Sequence, residues 1–158
     1  MIIKQLVDED FVNYKKPSMF IAFPSCTFKC EKECGKKMCQ NSELANSPNI
    51  EVSINAIVER YINNHITQAI VFGGLEPFDS VHLLRVVTSL RNNTNDDIVI
   101  YTGYTETELE RDGILNYLRK HENIIIKFGR YIPNQEKHYD EVLGVNLASD
   151  NQYGVKIS

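Results

Sequence analysis

The sequence predicts an α/β fold built on a mostly parallel β-sheet. Short apolar runs alternate with amphipathic stretches in the order strand, helix, strand, helix, strand, helix, strand, which is the pattern of successive βαβ units. The strand runs are apolar throughout, as expected when both faces of a sheet are covered. Three loops of unusual composition each follow a predicted strand, and parallel sheets bind ligands at that edge. Crossovers between parallel strands are right-handed, so the chain is expected to wind one way and to curve.

The first half of the chain contains two predicted strands and two predicted helices. Residues 1–17 show little periodicity and are predicted to form an irregular initial segment. Ser53 is a suitable N-cap for the first helix, and Asp79 or Ser80 for the second. The predicted elements are a strand at 19–23, a helix at about 54–64, a strand at 68–72 and a helix whose apolar stripe runs from Val81 to Leu90.

The second half continues the same alternation. Thr105 and Glu108 have the spacing of a capping box and open the third helix. After Gly129 the tail is predicted to be irregular. The predicted elements are a strand at 98–101, a helix from 105 to about 120, a strand beginning at 124 and a last strand at 155–157.

Composition and charge indicate one ordinary folded domain over residues 1–158. No apolar run approaches the ~20 residues that a membrane helix needs. The formal net charge is −4, and the basic stretch at 29–37 is interleaved with glutamates, so neither a nucleic acid nor a membrane is an expected partner. The N-terminus turns acidic at Asp8, too early for a signal peptide. A cytoplasmic location is therefore expected, where thiols stay reduced.

All four cysteines of the chain lie in one polar loop, with three, three and four residues between them. They are Cys26, Cys30, Cys34 and Cys39. Thiolates at short spacing hold either zinc or an iron–sulfur cluster. A four-thiolate zinc site usually comes as two close pairs with a longer spacer, so the spacing favours iron–sulfur over zinc, with redox-active or unbound thiols as a third possibility. If only three cysteines ligate a 4Fe–4S cluster, one iron is open to a substrate.

The loop after the second strand has a composition that suits ligand binding. Gly73 and Gly74 allow close backbone approach, and Glu76 places a carboxylate near it. The alternative interpretation is an ordinary turn between a strand and a helix. Thr102-Gly103-Tyr104 is a weaker signal, with Gly103 supplying an unusual backbone angle and Tyr104 a packing residue. The four histidines lack metal-ligand spacing and are predicted to be surface or helix positions. They are His65, His82, His121 and His138.

Five short motifs occur in order along the chain. They are Asp-Phe-Val-Asn at 10–13, a cysteine loop that opens with Cys-x-x-x-Cys at 26–30 and closes with Cys-Gln-Asn at 39–41, Gly-Gly-Leu-Glu-Pro at 73–77, Tyr-Thr-Gly-Tyr-Thr at 101–105 and Ser-Asp-Asn-Gln at 149–152. Together they resemble the radical S-adenosylmethionine (SAM) enzymes. Among these, the chain is most similar to the small activating proteins of anaerobic (class III) ribonucleotide reductase. The resemblance spans nearly the whole chain.

This resemblance implies a fold, two cofactors and a set of site residues. The fold would be a partial (β/α) barrel of the minimal radical SAM type. A 4Fe–4S cluster would be held by Cys26, Cys30 and Cys39, with SAM bound at its open iron, and no catalytic residue is assigned beyond the cluster. The implied SAM contacts are Asn41, Gly73, Gly74, Glu76 and Thr102, with Glu76 seating the methionine ammonium by a charge-assisted hydrogen bond.

The resemblance also implies a reaction and two protein partners. One electron would cleave the sulfonium bond of SAM, giving methionine and a 5′-deoxyadenosyl radical. In the resembled group that radical removes a hydrogen atom from a glycine of a partner reductase, here anaerobic ribonucleoside-triphosphate reductase. The expected electron donor is a reduced flavodoxin or ferredoxin-type protein.

The chain departs from the family pattern at several points near the expected site. Eight residues separate Cys30 from Cys39, where the family has two, and Cys34 lies within this insertion. Cys34 could replace Cys39, be a spare thiol, or be a fourth ligand that closes the open iron. Met38 stands where the family has an aromatic residue. Two further departures are an extra Leu75 in the glycine–glutamate loop and Phe128-Gly129 in place of the family's Asp-Gly.

These departures leave two alternative functions. The first keeps the radical chemistry but applies it to another peptide or to a small molecule. The second is a non-catalytic metal-binding protein in which all four cysteines hold zinc or a closed cluster.

Overall fold

The computed structural model describes residues 1–158, and its core is a six-stranded mixed β-sheet. The strands are β1 (Ile2–Ile3), β2 (Gln5–Asp10), β3 (Ser18–Phe23), β4 (Ile50–Glu51), β5 (Ala69–Gly74), β6 (Asp97–Tyr101), β7 (Ile124–Phe128), β8 (His138–Asp140), β9 (Val145–Leu147) and β10 (Tyr153–Lys156). The helices are α1 (Lys29–Cys34), α2 (Ser42–Asn46), α3 (Ile54–Ile62), α4 (Leu83–Arg91), α5 (Glu106–Arg111) and α6 (Ile114–Leu118), with a 3₁₀ turn at Pro77–Asp79.

The central sheet has the strand order β10-β7-β6-β5-β3-β2. The four inner strands are parallel neighbours in sequence order, which confirms the predicted mostly parallel α/β sheet. The edge strands β2 and β10 pair antiparallel with β3 and β7. They lie at opposite edges, so the sheet is open and its barrel geometry stays a prediction.

The two faces of the sheet are covered by different parts of the chain. Helices α3 to α6 pack on one face, where their apolar residues join alternate strand residues such as Phe72 and Ile100 in a core of 20 buried side chains. The other face is covered by Tyr14, Leu143 and Leu147. The continuous apolar strands were predicted to be covered on both sides, and they are.

The initial segment is more ordered than the sequence predicted. Strand β1 pairs with β4, and β2 pairs with β3 with Leu6 opposite Ile21. The prediction of an irregular segment was wrong because β2 reads Gln-Leu-Val-Asp-Glu-Asp and is mostly half-buried or exposed. Such a polar edge strand carries little hydrophobic signal.

The helix predictions are confirmed in part. The Ser53 hydroxyl accepts a hydrogen bond from Ala56 N–H at the start of α3, and Thr105 and Glu108 form the predicted capping box of α5. The predicted helix to residue 120 is instead broken at Gly113, whose φ of +71° lies in the left-handed region.

The start of the second helix was predicted wrongly. Helix α4 begins at Leu83, because Asp79 belongs to the preceding 3₁₀ turn and Ser80 ends that turn. Val81, assigned to the apolar stripe, is 86% exposed. Leu83, Val87 and Leu90 of the predicted stripe are buried, so the later start of α4 removes Val81 from the buried face.

The tail after Gly129 contains a hairpin that the sequence analysis did not predict, in addition to the last strand, which it did predict. Strands β8 and β9 form a hairpin, and β10 lies at 153–156, close to the predicted last strand. Two three-residue strands of mixed polarity are too short to show a period. No helix in the structure is both long enough and apolar enough to cross a membrane.

Candidate metal centre

A cavity of about 950 Å³ lies against the second face of the sheet and reaches the carboxyl ends of its parallel strands. Three cysteines from the loop after β3 line it: Cys26, Cys30 and Cys39. The five residues with an expected role in SAM binding also line it: Asn41, Gly73, Gly74, Glu76 and Thr102. The structure therefore brings all eight together, although they come from three separate parts of the sequence.

Cys34 differs from the other cysteines. It is exposed, whereas the other three are half-buried, and it is not among the residues that line the cavity. It ends helix α1, whose left-handed C-cap at Gly35 turns the chain back toward Cys39. The geometry therefore separates Cys34 from the three cysteines that line the cavity.

The start of the cysteine loop is held by Asp79. Its Oδ2 accepts a hydrogen bond from the backbone N–H of Thr27 at 2.9 Å, and its Oδ1 accepts one from the Tyr104 hydroxyl at 2.6 Å. The Lys29 ammonium lies 4.2 Å from the ring centroid of Tyr104, within cation–π range. Tyr104 was predicted to be only a packing residue, and the structure shows that it also joins the cysteine loop to β6.

Cys26 and Cys30 sit in an environment that raises the pKa of their thiols and so favours the protonated form. Burial raises the pKa of Cys26 to about 11, and the Phe28 N–H, 3.2 Å from its sulfur, opposes that shift. Burial also raises the pKa of Cys30, with Cys39 adding to the shift. Because thiolates are the ligating form, metal binding here is coupled to proton release.

Glu76 is a buried carboxylate with three hydrogen-bond donors around it. Its Oε1 accepts from the Thr102 hydroxyl at 2.7 Å and from Phe78 N–H at 3.2 Å, and its Oε2 accepts from Gly103 N–H at 2.8 Å. A carboxylate offers about four lone-pair positions, so one position on Oε2 is left for another donor. Burial raises the pKa of Glu76 to about 7, and these hydrogen bonds limit the rise.

Lys127 is a site residue that the sequence analysis missed. It lies in β7, is 7% exposed, and lines the same cavity as Glu76. Its Nζ donates one hydrogen bond, to Gly129 O at 2.9 Å, which leaves two donors unused. Burial lowers its pKa to about 8, and Glu76 opposes that shift. The signal in the sequence was a single lysine inside an apolar strand, Ile-Ile-Ile-Lys-Phe.

Gly74 of the Gly-Gly loop is required by packing against a neighbouring strand, and Gly73 lies in tight contact with a neighbouring ring. A Cβ on Gly74, which has φ +81°, would lie 2.7 Å from the Ala22 Cβ and 2.9 Å from its Cα. A Cβ on Gly73 would lie 3.0 Å from the Phe20 ring. Asn41 reinforces the end of β5, since its side-chain amide donates to the Gly74 carbonyl.

The motifs at the two ends of the chain also reach this cavity. Asn13 lines it, and its carbonyl accepts a hydrogen bond from the Tyr101 hydroxyl at 2.7 Å. The tail crosses the end of β7, where the Gln152 side chain donates to Gly129 O. A Cβ on Gly129 would lie 2.7 Å from Asn151 O. The glycine of Phe128-Gly129 is thus needed for the tail to cross here.

The donor set fits a cluster better than a single ion. No three histidine, cysteine or acidic side chains converge so as to hold one metal ion. In a 4Fe–4S cluster the cysteine thiolates ligate separate irons and so stand around the cluster. Three half-buried cysteines line one cavity and can supply three such ligands, and none of the four histidines lines the cavity.

Comparison with known proteins agrees with this donor set. The sequence profile of the 4Fe-4S single cluster domain matches residues 17–152. The chain belongs to that family. Searches of curated proteins and of solved structures found no match. The matched range of the 4Fe-4S single cluster domain includes all four cysteines, Glu76, Lys127 and the Asn-Gln tail, so a 4Fe–4S cluster domain is present.

Proposed function

We propose that this chain is a radical SAM enzyme of partial-barrel architecture, with Cys26, Cys30 and Cys39 as its cluster ligands. One observation carries the proposal: these cysteines, a buried carboxylate and a buried amine line one cavity in a chain of a 4Fe–4S family. When bound, the cluster supplies the electron that cleaves SAM into methionine and a 5′-deoxyadenosyl radical.

The two buried charges suit the zwitterionic methionine end of SAM. Glu76 keeps one acceptor position, and Lys127 keeps two donors. They form no ion pair with each other. In the proposed complex the ammonium of SAM donates to Glu76, and the SAM carboxylate accepts from Lys127, both as charge-assisted hydrogen bonds.

The remaining side of the cavity provides an apolar wall. Phe20, Val145 and Leu147 line it, together with the ring of Tyr101. Such side chains exclude water around a reactive radical and so prevent its loss in side reactions. Their role in the proposal is to shield the space between the nucleoside of SAM and the hydrogen donor.

The proposed hydrogen donor is a glycine of an anaerobic ribonucleoside-triphosphate reductase. The 5′-deoxyadenosyl radical takes one hydrogen atom from the glycine Cα, giving 5′-deoxyadenosine and a glycyl radical. A reduced flavodoxin or ferredoxin-type protein supplies the electron, in the cytoplasm. The support is the resemblance, including the Asn13 and Gln152 motifs that border the cavity. The four-thiolate alternative is less favoured because Cys34 lies outside this lining.

Electron paramagnetic resonance on anaerobically reconstituted, reduced protein tests the proposal. We expect a 4Fe–4S signal that changes when SAM is added, because an open iron binds the ligand. The signal should survive Cys34→Ser and be lost in Cys39→Ser. A signal that does not change when SAM is added, or bound zinc in place of iron, would contradict radical SAM chemistry.

A second measurement tests the partner. Adding a class III reductase together with SAM should produce a glycyl radical signal on the reductase. If SAM is cleaved but no such signal forms, the chemistry stands and the substrate is another peptide or a small molecule.

A further inference from the structure

The stretch between Cys30 and Cys39 folds into a closed side loop. Helix α1 occupies its first half and ends at Gly35, which has φ +66° and whose N–H donates to Glu31 O at 2.8 Å. This left-handed cap reverses the chain. The second half of the loop then returns to the start of the same helix, so eight residues are spanned without separating the two cysteines that flank them.

A single carboxylate joins the two ends of this loop. Glu31 Oε1 accepts hydrogen bonds from two consecutive backbone amides, Met38 N–H at 3.1 Å and Cys39 N–H at 3.0 Å. Glu31 is half-buried, whereas residues 32–37 are all exposed. Hydrogen bonds from backbone N–H groups to a carboxylate are stronger than neutral ones, so this contact fixes the backbone of Cys39 beside Cys30.

This contact lies next to Cys39, one of the three cysteines that line the cavity. Cys30 and Cys34 are four residues apart on one helix and lie on the same side of it, so Cys34 is the competing thiol nearest in sequence. In the structure, where Glu31 joins the two ends of the loop, Cys39 lines the cavity and Cys34 is exposed. The Cys39 N–H donates to no acceptor other than Glu31 Oε1, so removing Glu31 takes away the hydrogen bond that holds this part of the backbone against helix α1.

We infer that Glu31 is a positioning residue that selects Cys39, and not Cys34, as the third cluster thiolate. This inference rests on the proposed cluster and adds a contact that accommodates the eight-residue spacing between Cys30 and Cys39. Glu31 touches neither the cluster nor SAM in this assignment. It acts through the backbone of the ligand that follows the insertion.

Thiol protection in the reconstituted protein tests the selection directly. Full-length wild-type protein and variants are loaded with iron and sulfide anaerobically, alkylated with iodoacetamide, and mapped by mass spectrometry alongside iron content. In the wild type we expect Cys34 to be alkylated and the other three cysteines to be protected. In Glu31→Ala we expect alkylation of Cys39 to rise about fivefold, as loss of a stabilising hydrogen bond allows, while Cys34 becomes protected.

Two further variants separate selection from general damage. Glu31→Gln keeps an oxygen that can accept from both amides, so its protection pattern should stay close to that of the wild type. Glu33→Ala removes a carboxylate from the same helix whose partner is Arg130 and which is 61% exposed, a contact that contributes little. It should match the wild type in iron content and in protection.

The outcomes distinguish this inference from the proposed function. A wild-type pattern in Glu31→Ala, iron loss with Cys34 still fully reactive, or a protected Cys34 in the wild type would each overturn the selection role. A cluster whose signal does not change when SAM is added would contradict the radical SAM function. Movement of alkylation protection from Cys39 to Cys34 in Glu31→Ala would still support the positioning role of Glu31. A wild-type chain that takes up no iron overturns both.

Discussion

Lys127 and Glu76 place two opposite charges in one cavity without pairing them. Burial penalises the charged form of each, so the pKa of Glu76 rises to about 7 and that of Lys127 falls to about 8. Both groups therefore lower the stability of the ligand-free protein near neutral pH. A cost of this kind is common at binding sites, where unpaired polar groups are satisfied by a ligand.

Replacing Lys127 by Met should stabilise the ligand-free protein. A pKa lowered from 10.5 to about 8 corresponds to a destabilisation of the folded protein by about 3 kcal/mol. The substitution removes this penalty but also removes the hydrogen bond to Gly129 O, which stabilises the fold by about 1 kcal/mol. We expect Lys127→Met to raise the free energy of unfolding at pH 7 by about 2 kcal/mol. Urea unfolding monitored by circular dichroism measures it.

The pH dependence of this effect has a defined sign. The folded-state pKa of Lys127 is depressed, so between pH 8 and 10.5 the unfolded chain binds more protons than the folded one and wild-type stability rises with pH. The gap between Lys127→Met and wild type should therefore be full below pH 8 and close toward pH 10.5. A gap that is independent of pH would contradict the buried-charge explanation. SAM affinity should fall in the same variant, because the proposed carboxylate partner is gone.

At the scale of the element, the end of β5 is where packing and the site meet. Gly74 combines a left-handed φ of +81° with a backbone approach to Ala22 on β3, while its carbonyl accepts from Asn41. The element cannot accept a side chain here without moving away from its neighbour. Cavity shape at this edge therefore depends on the missing Cβ.

Gly74→Ala should destabilise the protein strongly. Left-handed backbone costs an alanine about 1 kcal/mol, and overlap with Ala22 adds about 1 to 3 kcal/mol. The matched control is Gly113→Ala, since Gly113 has φ +71° but no atom within 4 Å of a Cβ, so it should lose only about 1 kcal/mol. Equal losses of unfolding free energy in the two variants would show that packing at Gly74 is unimportant.

Elements differ in how well the sequence predicted them. Helix α5 was predicted because its capping box is a local pattern of two residues, and the four inner strands because their apolar runs are continuous. Strand β2 was missed because it is a polar edge strand. The break at Gly113 was missed because a glycine inside a helical pattern does not by itself decide between a helix and a turn.

At the scale of the whole molecule, the C-terminal part forms the cover of the second sheet face. Leu143 lies at the turn between β8 and β9 and is fully buried, and its carbonyl accepts from Lys15 N–H at 2.8 Å. Val145 and Leu147 of β9 continue from there into the cavity wall. The hairpin therefore connects the stability of the fold to the shape of the site.

Leu143→Ala should loosen this cover. Removing a fully buried leucine side chain typically costs about 2 to 4 kcal/mol through lost burial and the cavity that remains. Tyr139→Ala is the control on the same hairpin, because Tyr139 is 61% exposed, and it should change stability by less than about 1 kcal/mol. Thermal unfolding of the ligand-free proteins distinguishes them. An unchanged midpoint in Leu143→Ala would show that the hairpin does not support the core.

The sequence by itself determined the parallel α/β core, the starts of α3 and α5 and the grouping of the cysteines, because these depend on local periodicity, caps and spacing. Only the tertiary structure decided that Cys34 lies outside the cavity, that Lys127 lies within it, and that the C-terminal hairpin covers the second face. The physical reason is that each depends on contacts between residues distant in sequence. A lysine within an apolar strand gives the same sequence pattern whichever face of the sheet its side chain occupies. The face is decided only when the strands pair and the C-terminal hairpin covers the sheet.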